Sequence, residues 1–497
     1  MTSELLEKAR KYEESCLEYI DDKDRPAYHL TGGVGWINDP NGFSLYKGEY
    51  HLFFQYHPYS IKWGPMHWGH VKTEDFVRWE RLPIAMAPDS PFDGKGCFSG
   101  SAVEMPDGRQ MLMYTGVTEV ASGANINLQI QQQCVAFGDG TEYTKYEGNP
   151  VITSDDLPSD GMVTDFRDPK VWKEGDTYYC AVSNNSSEDS GVILLYESRD
   201  GIHWKYVTVL EANRGQYGRM WECPDFFELD GKHVLIVSPM KMRPAGLEFH
   251  AGYGTIALIG GYDPETHKFI RENVQSVDYG IDFYAAQTLE AKDGRRIMIA
   301  WMQNWTTIQC EFEDHFYFGQ MTLPRELWIE NGRMYQRPVR ELENYRSAGT
   351  VYRNIFVHEE MSLPQVRGRC LDMTVRVKPV SGKKYSWFRI NFADDGEYYT
   401  SIIYDASSNH VRLDRSRCGF PYDIVNVREF PVSCCDGEIE LRILLDRYSV
   451  ELFVNGGEQA ATMLVYTDPS ADSVTFAADS EVLIDIEKFD LEFEWMK

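Results

Sequence analysis

A turn signal recurs along the first two thirds of this chain. Asp75-Phe76-Val77-Arg78-Trp79, Asp139-Gly140-Thr141-Glu142-Tyr143 and Asp200-Gly201-Ile202-His203-Trp204 each place an aromatic ring four residues after an aspartate. Asp263-Pro264-Glu265-Thr266-His267-Lys268-Phe269 is a looser fourth copy. The copies begin at 75, 139, 200 and 263, a period of about 63 residues. One Asp-Gly turn carries little weight, because such turns punctuate most hairpins. An even period on this scale is what a radial array of antiparallel sheets produces. Short runs rich in β-branched and aromatic residues accompany it at 49–55, 110–115, 177–182, 234–237 and 296–301. Residues 25–343 hold about five periods, so an all-β chain with a five-bladed β-propeller over that range is expected.

The flanks differ from this pattern. Residues 1–24 are charged and read as an amphipathic helical segment, whereas 344–497 alternate apolar and polar residues at 370–377, 387–392, 439–445 and 449–454. A C-terminal β-sandwich is the economical expectation. With 497 residues in total, two domains are the natural prior, joined between 338 and 352.

A formal charge of -28 opposes nucleic acid or an anionic membrane as partner, and a neutral small sugar fits that field. No run of about 18 apolar residues is present to span a bilayer. The chain start lacks a secretory pattern, and the ten cysteines are scattered without zinc-type pairs, so reduced thiols in a cytoplasmic protein are expected. Neither metal nor cofactor is called for. The sandwich offers a strand edge or flat face to a second copy, and nothing selects a particular homo-oligomer.

Three acidic motifs follow one another: Trp36-Ile37-Asn38-Asp39-Pro40-Asn41-Gly42, Phe166-Arg167-Asp168-Pro169 and Trp221-Glu222-Cys223-Pro224-Asp225. Each is compatible with a simple turn or ion pair. Proline after Asp39 and after Asp168 holds the preceding backbone extended, which aims a carboxylate. Glu222 has Trp221, Cys223 and Pro224 beside it, so an apolar setting that favours its protonated form is expected. Two aimed carboxylates are the requirement for cleaving a glycosidic bond.

In these motifs the chain resembles glycoside hydrolase family 32, the invertase and β-fructofuranosidase family. The likeness extends through His51-Leu52-Phe53-Phe54-Gln55-Tyr56-His57-Pro58, Trp63-Gly64-Pro65-Met66-His67-Trp68-Gly69-His70 and Cys97-Phe98-Ser99-Gly100-Ser101-Ala102. It continues in Asp282-Phe283-Tyr284-Ala285 and Thr322-Leu323-Pro324-Arg325-Glu326-Leu327. The resemblance implies Asp39 as nucleophile, Glu222 as general acid/base and Asp168 as the carboxylate steadying the transition state. It implies Asn38, Gln55, Trp63, Phe98, Ser99, Arg167 and Trp301 as lining of a fructose pocket. It also implies a propeller followed by a sandwich, and release of terminal β-linked fructose with retention. Sucrose 6-phosphate is a competing substrate, with Lys62, or Lys241 and Arg243, as candidate phosphate cations. A fructosyltransferase would use the same acids, and a noncatalytic sugar-binding propeller is the reading from another class. Ala286, and the segment His315-Phe316-Tyr317-Phe318-Gly319, depart from the family pattern and are expected to alter the pocket beyond the fructose subsite.

Overall fold

The computed structural model of the protein describes residues 3–122, 127–308, 316–421, 423–434 and 436–493. Its regular structure is almost entirely β, and five antiparallel sheets follow one another up to Pro338. Four of them have four strands, and the first gains a fifth where Tyr317–Phe318 pairs in parallel beside Gly35–Tyr46. The innermost strands are Gly35–Tyr46, Gly96–Glu104, Arg167–Glu174, Trp221–Leu229 and Tyr284–Glu290. Each packs beside the next and the fifth returns to the first, so the sheets close into a propeller ring. The five β-rich runs expected from sequence all fall on second strands of these sheets.

The recurring aspartate has one structural job. Asp75, Asp139, Asp200 and Asp263 each sit at the turn from the third to the fourth strand of a sheet. One carboxylate oxygen accepts the backbone N–H two residues on, at 3.0 Å for Val77, 3.0 Å for Thr141, 2.9 Å for Ile202 and 2.9 Å for Glu265. The side chain thus closes the turn in place of a backbone carbonyl. The fifth sheet makes the same connection with Asn331-Gly332, both at positive φ, a two-residue hairpin turn that needs no aspartate. Four copies of the signal therefore accompany five sheets.

The N-terminal helix runs over Glu4–Leu17, with Ser3 as its cap accepting the Leu6 N–H. It buries Leu6 and Ala9, while Arg10 donates through Nε to the Ile84 carbonyl of the first sheet's outer strand at 2.9 Å. After Pro338 a short 3-10 turn, Arg340–Tyr345, leads into a six-stranded and a five-stranded sheet. Their inner faces share one apolar core that includes Phe388, Ile390, Val411, Leu441 and Phe476, the arrangement of a β-sandwich. Among the described residues no helix is long and apolar enough to cross a membrane. The eight described cysteines carry free thiols; Cys310, Cys435 and His315 lie outside the described residues.

Sandwich and propeller share backbone and charge. Tyr279 and Ile281 donate their N–H groups to Ala460 and Thr462 of the strand Gln459–Leu464, at 2.9 and 2.8 Å. Gly280 lies so close that a Cβ would stand 2.1 Å from the Thr462 nitrogen. Beside it, Arg325 bonds Asp278 at 2.9 Å and Glu451 through Nε at 2.9 Å. His29 bridges Asp446 and Glu451 at 2.7 and 2.8 Å, and Asp282 takes Arg415 at 2.6 Å. These side chains are buried, so each charge is met by an opposite one.

Candidate active site

A break in register occurs near the start of all five inner strands. The pairing skips between Ile37 and Pro40, Phe98 and Gly100, Arg167 and Lys170, Glu222 and Asp225, and Tyr284 and Gln287. These are β-bulges, which release a residue from the ladder and re-aim its side chain. Asp39, Ser99, Asp168 and Cys223 occupy the released positions, and Asp168, Cys223 and Ala285 take positive φ there. Repetition of one bulge around the ring is what brings residues from different sheets to a common place.

Asp39 is buried and heavily bonded. Ser99 donates to its Oδ2 at 2.6 Å, Asn38 to its Oδ1 at 3.0 Å, and the Cys223 thiol lies 3.6 Å from Oδ2. Asn38 is in turn fixed by the Trp36 indole N–H at 2.8 Å. Burial raises the Asp39 pKa above its ordinary value, hydrogen bonds from Ser99 and Asn38 oppose that, and the charge of Glu222 adds to it. Asp168 accepts the Cys223 backbone N–H at 3.0 Å, and its own N–H donates to Thr115 at 3.0 Å. Burial pushes its pKa up to about 7; Arg167 opposes that, while Glu222 and Asp39 add repulsion. Three carboxylates and one guanidinium therefore share the site.

Glu222 is held differently. Arg167 donates to Oε1 through Nε and Nη2, at 3.1 and 2.9 Å, and the Tyr284 hydroxyl lies 2.6 Å from Oε2. Arg167 is itself pinned by Gln131 and Asp165, both at 3.1 Å. The apolar setting expected from its sequence neighbours is absent. Trp221 packs into the core between the third and fourth sheets, on the other side of the strand, because successive side chains alternate faces.

The pocket residues named above divide by depth. Gln55 donates to the Cys97 carbonyl at 3.0 Å and is 2% exposed. Phe98 meets Trp63 edge-on at 6.0 Å, and Trp63, 45% exposed, stands at the rim. Trp301 is fully buried, edge-on to Trp36 at 6.0 Å, so it backs the wall that Trp36 forms with Phe318 and Trp305. Ala286 lies in the core between the fourth and fifth sheets, with Phe283 and Met298, and does not shape the pocket as the family departure suggested. Tyr284, Cys223, Thr115 and Gln131 were not singled out from sequence. The first two lie within quoted motifs; Thr115 and Gln131 carry no local signal.

Paired carboxylates of different environment, aimed from bulged strands into one place, define a glycoside hydrolase. The model of the glycosyl hydrolases family 32 N-terminal domain matches residues 29–338, and that of the family 32 C-terminal domain matches 341–491. The chain belongs to glycoside hydrolase family 32. A sucrose-6-phosphate hydrolase of Zymomonas mobilis is 36% identical over 449 residues, covering 86% of this chain and 83% of that protein. A raffinose invertase of Escherichia coli is 36% identical over 459 residues, covering 90% of each. The solved β-fructofuranosidase BmSUC1 of Bombyx mori superposes with a TM-score of 0.83 at 32% identity, covering 98% of each chain, and a variant of it was solved with sucrose.

Proposed function

We propose that this protein is a retaining β-fructofuranosidase that releases terminal β-linked fructose from sucrose and short fructo-oligosaccharides. The observation that carries this reading is the unequal treatment of two acids in one site. Asp39 is fed by neutral donors from Ser99 and Asn38, whereas Glu222 lies between the Arg167 guanidinium on one oxygen and, on the other, a hydroxyl partner at 2.6 Å able to serve it in either protonation state. Asp39 attacks the anomeric carbon of the fructosyl unit as Glu222 gives its proton to the departing oxygen. In the second half, Glu222 takes a proton from water as that water attacks the same carbon and Asp39 leaves.

Tyr284 suits this alternation. Its hydroxyl lies 2.6 Å from Glu222 Oε2 and 2.9 Å from the Ser238 carbonyl, and it has one hydrogen to give. With Glu222 ionised, Tyr284 donates to it. With Glu222 protonated, the carboxyl donates to Tyr284, which turns its hydrogen to Ser238. Asp168 holds fructosyl hydroxyls in the transition state, and Trp63, Phe98, Gln55 and Arg167 border the sugar.

Each of the five sheets is one blade of a five-bladed propeller over 25–343, preceded by the helical segment 1–24 and followed by the sandwich over 344–497. The family-model boundaries at 338 and 341 support that division. The free thiols of the eight described cysteines support residence in a reducing compartment such as the cytoplasm. Sucrose 6-phosphate is a second reading, favoured by the name of the Zymomonas relative and by exposed Lys241 and Arg243 just beyond Met240, whose sulfur lies 3.7 Å from Arg167. Initial rates on sucrose, sucrose 6-phosphate, kestose, inulin and levan, with glucose, fructose and longer products measured separately, test both readings and expose transfer. Sucrose and kestose turnover with equal or better kcat/KM than sucrose 6-phosphate is expected. No fructose from any of the five contradicts the assignment.

A further inference from the structure

Arg167 serves two carboxylates at once. Its Nε and Nη2 donate to Glu222 Oε1, while its Nη1 donates to Asp165 Oδ1 at 3.1 Å. Burial lowers the Arg167 pKa, and the charges of Glu222, Asp168 and Asp165 outweigh burial, so the guanidinium stays positive. A fixed positive charge against Glu222 favours the ionised carboxylate, whereas the first step proposed above needs a proton on it. Asp165 puts an offsetting charge on the far nitrogen of the same guanidinium. Its neighbours hold it there: the Asp165 carbonyl accepts from Asn184 at 3.1 Å, and Phe166 donates to Gln131 at 3.0 Å and accepts from Gln133 at 2.9 Å. Those three amide side chains are buried. Asn185 donates both to Asp165 Oδ2 at 3.3 Å and to Asp189 at 2.8 Å, and Asp189 is paired with Arg219. Asp189 thus has a cation of its own.

We infer that Asp165 is a positioning residue for proton donation: by sharing the Arg167 guanidinium, it keeps Glu222 protonated to higher pH than Arg167 alone would allow. It touches no reacting atom and acts through Arg167. The other ionisable groups facing Glu222 are Asp39 from the first inner strand, Asp168 from the third, Tyr284 from the fifth, Cys223 beside it, and Tyr253 from the connection between the second and third strands of the fourth sheet. Arg219 faces Asp165 from the segment before the fourth inner strand. Among the described residues Arg167 is the one bonded to both acids. This role rests on the function proposed above, with Glu222 as the proton donor.

The test is the pH profile of kcat/KM on sucrose for the full-length protein and its variants, because the basic limb reads loss of the essential acid. Asp165→Asn keeps an oxygen for Arg167 but removes the charge, and should move that limb down by about half to one pH unit. Asp165→Glu restores the charge, and should return the limb towards its wild-type place. Gln131→Glu sets a carboxylate against the same Nη1, which Gln131 already meets at 3.1 Å, and should move the limb up. This second variant answers the question where Asp165→Asn does not fold. A limb that stays in place in either Asp165→Asn or Gln131→Glu overturns the inference, even if kcat/KM falls at every pH, since that is what a purely structural residue would do. Equal displacement in Asp165→Asn and Asp165→Glu overturns it too. Wild-type protein that releases no fructose from sucrose is instead the failure of the hydrolase reading, and takes the role of Asp165 with it.

Discussion

Asp39 and Glu222 differ in what holds them, and that difference sets what each substitution should do. Asp39→Asn keeps shape but removes the attacking charge, and should lower kcat on sucrose by about ten-thousand-fold with the fold intact by circular dichroism. Since burial raises the Asp39 pKa above its ordinary 3.8 and only the ionised form attacks, kcat/KM should fall on the acid side at a pH above 3.8. A limb at or below pH 3.8 would show that Asp39 is not the group being read. Tyr284→Phe removes the hydroxyl beside Glu222 and should cost about ten- to hundred-fold in kcat, with activated leaving groups, which need less proton donation, spared. Equal loss on both substrate types would place Tyr284 outside the proton transfer. The three acidic motifs do meet in one place, but the expectation that proline holds Asp168 extended is corrected: Asp168 takes a φ of 63° at its bulge, a left-handed conformation that the bulge and not the proline imposes. The partners of the acids were not legible in the sequence: Arg167 and Glu222 lie 55 positions apart on different sheets, and alternation of faces sends Trp221 away from the carboxylate it adjoins.

The inner strand is the element that makes a site possible, through one bulge repeated around the ring. Behind the bulges, Lys170 of the third inner strand donates to Asp225 of the fourth at 2.9 Å and to the Thr288 carbonyl of the fifth at 2.9 Å. Asp225 also accepts the Thr288 N–H at 2.5 Å. This buried ion pair ties three strands together directly behind Asp168 and Glu222. Lys170→Met leaves Asp225 charged and uncompensated, and should lower unfolding stability by about 3–5 kcal/mol and reduce kcat with it, as read by denaturant titration and sucrose assay. A loss below about 1 kcal/mol, the level of surface pairs, would show the pair to be dispensable. Asp225 reads in sequence as part of an acidic motif, yet its work is structural. The 63-residue period was legible because four turns use the same aspartate, and the fifth was hidden because Asn331-Gly332 satisfies its hairpin with backbone alone.

At the scale of the molecule, the two folds are joined by buried charge. His29, between Asp446 and Glu451, is held at a pKa of about 9: burial lowers it, and the hydrogen bonds and charges of the two carboxylates outweigh burial. A raised histidine contributes stability that is fully present below its unfolded value near 6.5 and is lost as pH rises through the folded value. The protein should therefore lose about 3 kcal/mol of stability between pH 6.5 and 10 from this group. Denaturant titrations across that range should show the loss in wild type and a flatter dependence in His29→Gln. The same slope in both proteins would contradict the assignment. This joint was only partly legible. The segments holding Asp282 and Arg325 drew notice as family signatures, but their salt bridges reach Arg415 and Glu451 more than a hundred residues on, a distance that no local pattern encodes.

The account turns on Asp39 as the residue that takes the fructosyl unit. Glu222→Gln protein, mixed with an activated fructoside and quenched within the first turnover, should accumulate an ester, because the second step lacks its base. Peptide mass spectrometry should find one fructosyl unit, on the peptide containing Asp39 and on no other. A fructosyl unit on Asp168 or elsewhere, or turnover without any adduct and with inverted product, contradicts the account.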